Sequence, residues 1–200
     1  RQIVQTGPAT ALKMTAAQLA TRGDALALFR NQAYTLAITD ASVSETLGLE
    51  GQAALTTNSR IRSIEVKDTT EAIENNLDGL QRVGLKLKSI SQVGEDSSLT
   101  VTGAQYAKNA IVLGKIVTPF QLDVIRASAA QTARLAADRK VITVSLDDTA
   151  ANLAKSWSLI QRLSDSLTSV EVTLADRCTA SAAAAGGGGG TPLAVYEGQS

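Results

Sequence analysis

The spacing of apolar positions switches repeatedly between two periods. Leu99/Val101, Leu122/Val124, Ile142/Val144/Leu146 and Leu167/Val170/Val172 alternate with polar neighbours, which predicts short strands with one buried face. Between them, 104–116, 128–138 and 149–163 carry apolar residues at helical spacing, as does 69–83 upstream. Each predicted strand runs into Thr, Ser or Asp at the helix start: Thr15, Ser42, Asp68 with Thr69, Thr102, Ser128, and Asp148 with Thr149. These short polar side chains accept hydrogen bonds from the free N–H groups of a helical first turn, so strand and helix meet at one marked residue. Glu71 adds an acidic first turn, and Gln131 stands at capping-box spacing from Ser128.

The same alternation recurs at a fixed distance. IRSIEVKDTTEAIENNLDGLQRVGLKLKSI (61–90) lies without a gap over VITVSLDDTAANLAKSWSLIQRLSDSLTSV (141–170), an offset of 80. Asp68/Asp148, Thr69/Thr149, Gln81/Gln161, Arg82/Arg162, Leu87/Leu167 and Ser89/Ser169 are identical. Ile64/Val144, Val66/Leu146, Ile73/Leu153, Leu77/Trp157 and Leu80/Ile160 exchange one large apolar side chain for another. A shared buried face requires that pattern, and it places Trp157 in the core. A second match sets 12–29 over 99–116 at an offset of 87, with Leu12/Leu99, Thr15/Thr102, Ala17/Ala104, Gln18/Gln105, Ala20/Ala107 and Leu26/Leu113 identical. The smaller offset downstream places the extra residues of the first copy near 44–54.

Strands 21–27 residues apart through a helix suit one coil of a repeat array and are short for a doubly wound sheet. The expected fold is therefore α/β: a parallel βα repeat solenoid of about 80-residue units, each coil adding a strand to one sheet and a helix to the opposite wall. A single α/β domain with a duplicated half is the alternative. The implied organisation is a lead-in over 1–11, a partial repeat over 12–60, a full repeat over 61–140, a partial repeat over 141–172, and an Ala/Gly-rich linker with a short terminal strand over 173–200. The interval from Leu87 to Leu99 leaves no room for a helix and reads as a turn or a strand-only coil. Five consecutive glycines, Gly186 to Gly190, cannot hold a helix or strand without heavy entropic loss. Beyond them Leu193, Ala194, Val195 and Tyr196 form one apolar run that could add to an open sheet edge, an assembly element.

Composition narrows the chemistry. Nineteen basic residues balance 19 acidic ones in 200, so no electrostatic footprint for nucleic acid exists, and the surface can approach copies of itself without strong repulsion. With no histidine and a single cysteine, Cys178, there is no histidine triad, thiolate zinc cluster or internal disulfide. No stretch approaches the length of a membrane span. The opening RQIVQTG lacks an initiator methionine and a signal-peptide profile, which predicts a processed chain or a piece of a longer one. Six aromatic residues give little stacking surface for bases or sugars.

The most repeated polar feature is acid at strand ends: Asp68, Asp147 and Asp148, with Asp40 similarly placed. These carboxylates read as helix caps, or alternatively as ligands of a possible calcium ion between coils. GEDSS at 94–98 offers another carboxylate site or simply a turn. Arg22-Gly23-Asp24 is an integrin-type tripeptide set inside a predicted helix. No G-x-S-x-G elbow, Ser-x-x-Lys spacing or P-loop occurs, and Glu71 with Glu74 reads as a solvated helix face. No catalytic residue and no organic cofactor are expected.

The segments DTAANLAKSWSLIQRLSDSLTSVEVT, SLTVTGAQYAKNAIVLGKI and LDVIRASAAQTARLAAD resemble the tandem βα modules, or beta strand repeats, of large bacterial secreted and cell-surface proteins of the RTX-adhesin type. The resemblance covers about 12–172; the earlier copy departs from it with DTTEAIENN, and the glycine tail has no counterpart. It implies export, often by type I secretion beside calcium-binding neighbours, and a structural role in adhesins, surface layers, biofilm matrix or filaments. The expected function is thus a noncatalytic extracellular module that packs against copies of itself or neighbouring repeats, with no nucleic acid partner. The alternative is a module binding a glycan or protein on the solenoid face, and an enzyme of unrecognised type remains as a residual.

Overall fold

A computed structural model of the chain describes residues 10–26, 28–29, 34–51, 53–95, 97–163 and 166–173. In chain order the elements are β1 (Leu12–Thr15), α1 (Ala16–Leu26), β2 (Leu36–Ala41), α2 (Val43–Leu47), β3 (Ile61–Thr69), α3 (Thr70–Asn75), α4 (Leu77–Val83) and β4 (Leu87–Val93). There follow β5 (Ser98–Thr102), α5 (Gly103–Lys108), α6 (Ala110–Leu113), β6 (Gln121–Ala127), α7 (Thr132–Ala137), β7 (Val141–Thr149), α8 (Ala150–Lys155), α9 (Trp157–Ile160) and β8 (Leu167–Thr173). The fold is α/β, with helices alternating with strands. Most of the lead-in and the whole segment from 174 onward lie outside the described residues.

The strands form two four-stranded parallel sheets, ordered β1-β2-β3-β4 and β5-β6-β7-β8, where the sequence pattern predicts one. The break falls in the interval without a helix. Lacking a crossover helix, the chain leaves β4, turns at Gly94 with φ of 103°, and starts the second sheet at β5. A left-handed backbone of that kind favours glycine.

Bulges recur at matched places in the two sheets. Leu36 pairs with Ile61 and Ala37 with Ser63, so Arg62 is the extra residue; Leu122 pairs with Val141 and Asp123 with Thr143, so Ile142 is. An extra residue shifts the alternation of side chains by one. This corrects the strand pattern: Ile142 is exposed and does not share the face of the buried Val144 and Leu146. A second irregularity lies between Ile38 and Ala41 and between Val124 and Ala127, where Asp40 (φ 53°) and Arg126 (φ 51°) are left-handed.

The long helices expected over 69–83, 104–116 and 149–163 are each broken in two. The breaks are Asn76 (φ −122°, ψ 17°), Asn109 (φ −99°, ψ 21°) and Ser156 (φ −99°, ψ 7°). Short polar side chains compete with the helical ladder, as Asn76 does by donating Nδ2 to the Ala72 carbonyl at 2.9 Å. Both pieces of the first and last of these helices carry buried apolar residues. Ile73, Leu77 and Leu80 are buried in the first half, and Leu153 and Ile160 repeat this for Ile73 and Leu80 in the second.

Helices α1, α2 and α5 pack on the strands that follow them, β2, β3 and β6, whereas α3 packs on β5 and so joins the halves. Ile90 of β4 also bridges in parallel to Ile116, through Ile90 N to Lys115 O and Val117 N to Ile90 O, both 2.9 Å. The buried residues form one cluster that runs from Ala16 to Leu163 across this junction.

Candidate functional site

The strand-end acids do not converge. Asp68 stands in β3 of one sheet, and Asp147 and Asp148 stand in β7 of the other. Among the described residues, no group of three potential ligands of the His, Cys, Asp or Glu type comes together.

Asp68 accepts hydrogen bonds from the N–H of Val43, the first residue of α2, and of Thr69, both at 2.8 Å. Asp148 repeats this with the N–H of Ala129 at 2.9 Å, that of Thr149 at 2.7 Å and Asn152 Nδ2 at 2.8 Å. Those donors, Asn152 foremost, hold the Asp148 carboxyl below the usual aspartate range. The helices that follow the two acids are capped by Thr69, accepting from Ala72 N at 3.2 Å, and Thr149, accepting from Asn152 N at 3.3 Å. Asp68 and Asp148 therefore reach back to the helical turn of the preceding coil rather than capping their own. Asp147 pairs in register with Glu171 of β8.

The remaining sequence candidates separate. Arg22 and Asp24 are exposed within the continuous helix α1, not on a loop. Glu74 does not line a site with Glu71; its Oε2 accepts from Thr100 N at 2.8 Å, tying α3 to β5. Ser98, from the acidic turn, donates to Asp123 at 2.5 Å, and Thr143 donates to the other oxygen of the same carboxylate. Cys178 and the run Leu193 to Tyr196 lie outside the described residues.

Polar chemistry is concentrated instead where the two halves meet. Asp78 on α4 accepts from Lys108 Nζ at 2.8 Å and Asn109 Nδ2 at 2.7 Å, and Lys108 above all lowers its pKa. Gln81 Oε1 accepts from Val112 N at 3.2 Å, while Lys115 Nζ donates to the carbonyls of Gly84 and Leu87. Asn109 is fully buried, and its Oδ1 has no partner. Next along the helix wall, Tyr106 donates to Asp138 at 2.9 Å under the Arg134 guanidinium, and burial raises its pKa. Sequence reasoning missed Asp78, Lys115 and Asn109, which differ between copies. The identity of Gln81 and Gln161 was its one signal for this junction.

Two features bear on binding. A groove of about 720 Å³ lies between α2 and α4, its lining including Leu47, Leu49, Val83 and Leu85 together with Arg82 and Lys86. Trp157, expected in the core, is 57% exposed, whereas its aligned partner Leu77 is 1% exposed. Leu77 sits on α4, which packs against α5 and α6 of the next half, and no described element follows the second half to cover Trp157 in the same way. Among the described residues, no helix is long and apolar enough to cross a membrane. No protein-family model matches the chain, and neither curated proteins nor solved structures yield a match.

Proposed function

We propose that this chain is a noncatalytic structural module of a secreted or bacterial cell-surface protein, a parallel βα solenoid segment built from units of about 80 residues. Its role is to space or display other domains, or to pack into a filament, surface lattice or matrix. The observation that carries this reading is the repeated back-reaching bond: Asp68 to Val43 N and Asp148 to Ala129 N, at 2.8 and 2.9 Å. A side chain that fastens one coil to the coil before it, at the same place in each copy, belongs to an array whose stability comes from neighbour-to-neighbour contacts. Strand pairing supports it too, since Ile64 pairs with Leu87 in one sheet and Val144 with Leu167 in the other. Among the described residues, the polar groups named above are engaged in these contacts.

Immunogold labelling of intact cells that make the protein tests the reading. Fibres or lattices of label on the outer surface are expected, and label only after permeabilisation would overturn it.

A second reading, a ligand-binding module, is favoured by the groove between α2 and α4. Its lining holds no aromatic ring, so a peptide segment suits it better than a glycan. Binding on peptide arrays by the wild type but not by Leu85→Asp would support that reading over the first.

A further inference from the structure

We propose that the C-terminal end of the second half, around Trp157 and Val170, docks the N-terminal edge of a second copy of this chain, formed by β1 and α1. The proposal rests on the repeat reading above and names the partner of the end that the described residues leave uncovered. The template is the junction inside the chain, where α3, α4 and β4 of the first half are covered by β5, α5, α6 and the segment around Ile116.

Several aligned pairs are buried in both copies: Ile64 and Val144, Val66 and Leu146, Ile73 and Leu153, Leu80 and Ile160. Two pairs that differ lie where the next half sits. Ile90 is fully buried under Ile116, while its counterpart Val170 is 40% exposed, and Leu77 differs from Trp157 in the same sense. The opposite end shows the complementary loss of cover. Leu99, Val101 and Val112 are buried in the second half, whereas their counterparts Leu12 and Met14 are only half-buried and Ala25 is exposed. Each end of the described array thus exposes the apolar half of an interface that the chain already builds once internally.

The residues at the two ends suit contact between separate molecules. The internal junction uses Glu74, Asp78, Lys108 and Lys115. Their aligned counterparts at the open ends are Ala154, Ser158, Thr21 and Leu28, so the intermolecular version lacks those charges. A contact made of Trp157, Val170, Met14 and Leu28 is apolar, and raising the salt concentration is not expected to weaken it.

Trp157 is the only tryptophan and reports on its own burial. The test follows its emission and the sedimentation of the full chain from about 1 μM to about 1 mM, the range of a modest protein interface. The expected result is an emission that moves to shorter wavelength as the mass rises, at low and high salt alike. Val170→Lys and Met14→Lys should each remain monomeric alone, yet form a dimer when mixed, because each retains the end that the other lacks. If either variant loses the wild-type circular dichroism, Trp157→Ser or Ala25→Lys replaces it, with sedimentation as the readout.

A wild-type monomer with solvent-exposed emission at every concentration overturns the proposal. So does short-wavelength emission independent of concentration, which would mean that the chain's own residues, such as 193–196, cover the end. Association that survives both variants overturns it by locating the contact elsewhere. A monomer would leave a spacer role intact, whereas label confined to permeabilised cells would refute the surface role without touching the docking measurement.

Discussion

The carboxylate of Asp148 lies 2.9 Å from the backbone nitrogen of Ala129, which opens the helical turn preceding α7 on the neighbouring coil. Asp68 holds the corresponding place against Val43 in the first half. Both acids also bind the N–H of the residue that follows them, so one side chain fastens the end of its own strand to the start of another helix. A charged acceptor on free helical N–H groups makes a stronger bond than a neutral one and complements the positive end of the helix.

Removing either fastening should weaken the whole chain. Asp68→Ala and Asp148→Ala are each expected to cost about 2 kcal/mol, within the range for charged hydrogen bonds whose partners are left unpaired. Asn in place of Asp keeps one acceptor oxygen and should cost roughly half as much. Urea unfolding followed by circular dichroism measures both. A loss below about 0.5 kcal/mol, as for an ordinary surface site, would remove the fastening from the account of stability.

Acid should act through the same groups. The folded pKa of Asp148 is lowered by Asn152 and the Thr149 and Ala129 N–H groups, and that of Asp78 by Lys108 and Asn109. A lowered folded pKa means that the unfolded chain binds protons first as the pH falls. The stabilisation is therefore fully present above the ordinary aspartate value of about 3.9 and is lost as the pH drops through the lower folded values. The urea midpoint is expected to be flat from about pH 5 to 7 and to fall below about pH 4, with a shallower fall in Asp78→Asn/Asp148→Asn. An equally steep fall in the double variant would assign the acid sensitivity to other carboxylates.

Calcium should not be needed for folding. Both oxygens of Asp68 and of Asp148 already accept N–H bonds, and among the described residues no three side chains of the His, Cys, Asp or Glu type come together at either. A site with a Kd of about 0.1 mM would add about 2.7 kcal/mol at 10 mM calcium, easily visible as a raised Tm. Equal melts in calcium and in chelator are expected, and a rise of several degrees with calcium would restore the metal reading.

The alternation of strand and helix, the capping residues and the 80-residue offset were legible because each depends on local chemistry or on a periodic buried face. Thr69, Thr102 and Thr149 sit at helix starts whatever lies around them. The division into two sheets was not legible, since nothing local to 87–99 states which strand β5 will pair with. Trp157 misled for a related reason. Its place on the apolar stripe marks a face that gets covered, but the helix that carries the matching Leu77 packs on α5 and α6 of the next half, and the stripe itself does not record what each helix will pack on. The target of Asp68 was equally hidden, because Val43 lies 25 residues upstream and meets it only once the coils stack.

Backbone conformation supplies a last prediction that the sequence alone conceals. Arg126 has φ of 51°, as does its counterpart Asp40 at 53°, each within the second irregularity of its strand. Aspartate tolerates the left-handed region through local hydrogen bonding, but a long side chain there costs about 1–2 kcal/mol relative to glycine. Glycine loses part of that gain through the greater freedom of the unfolded chain, about 0.5–1 kcal/mol. Arg126→Gly is thus expected to leave stability unchanged or raise it by up to about 1 kcal/mol, whereas β-branched Arg126→Val should lower it by about 1–2 kcal/mol. Urea unfolding of the pair reads the difference directly, and because both variants remove the same charge, any electrostatic role of Arg126 cancels between them. Equal stabilities would show that the strand relaxes at this point and that the matched left-handed residues are not a fixed feature of the two halves.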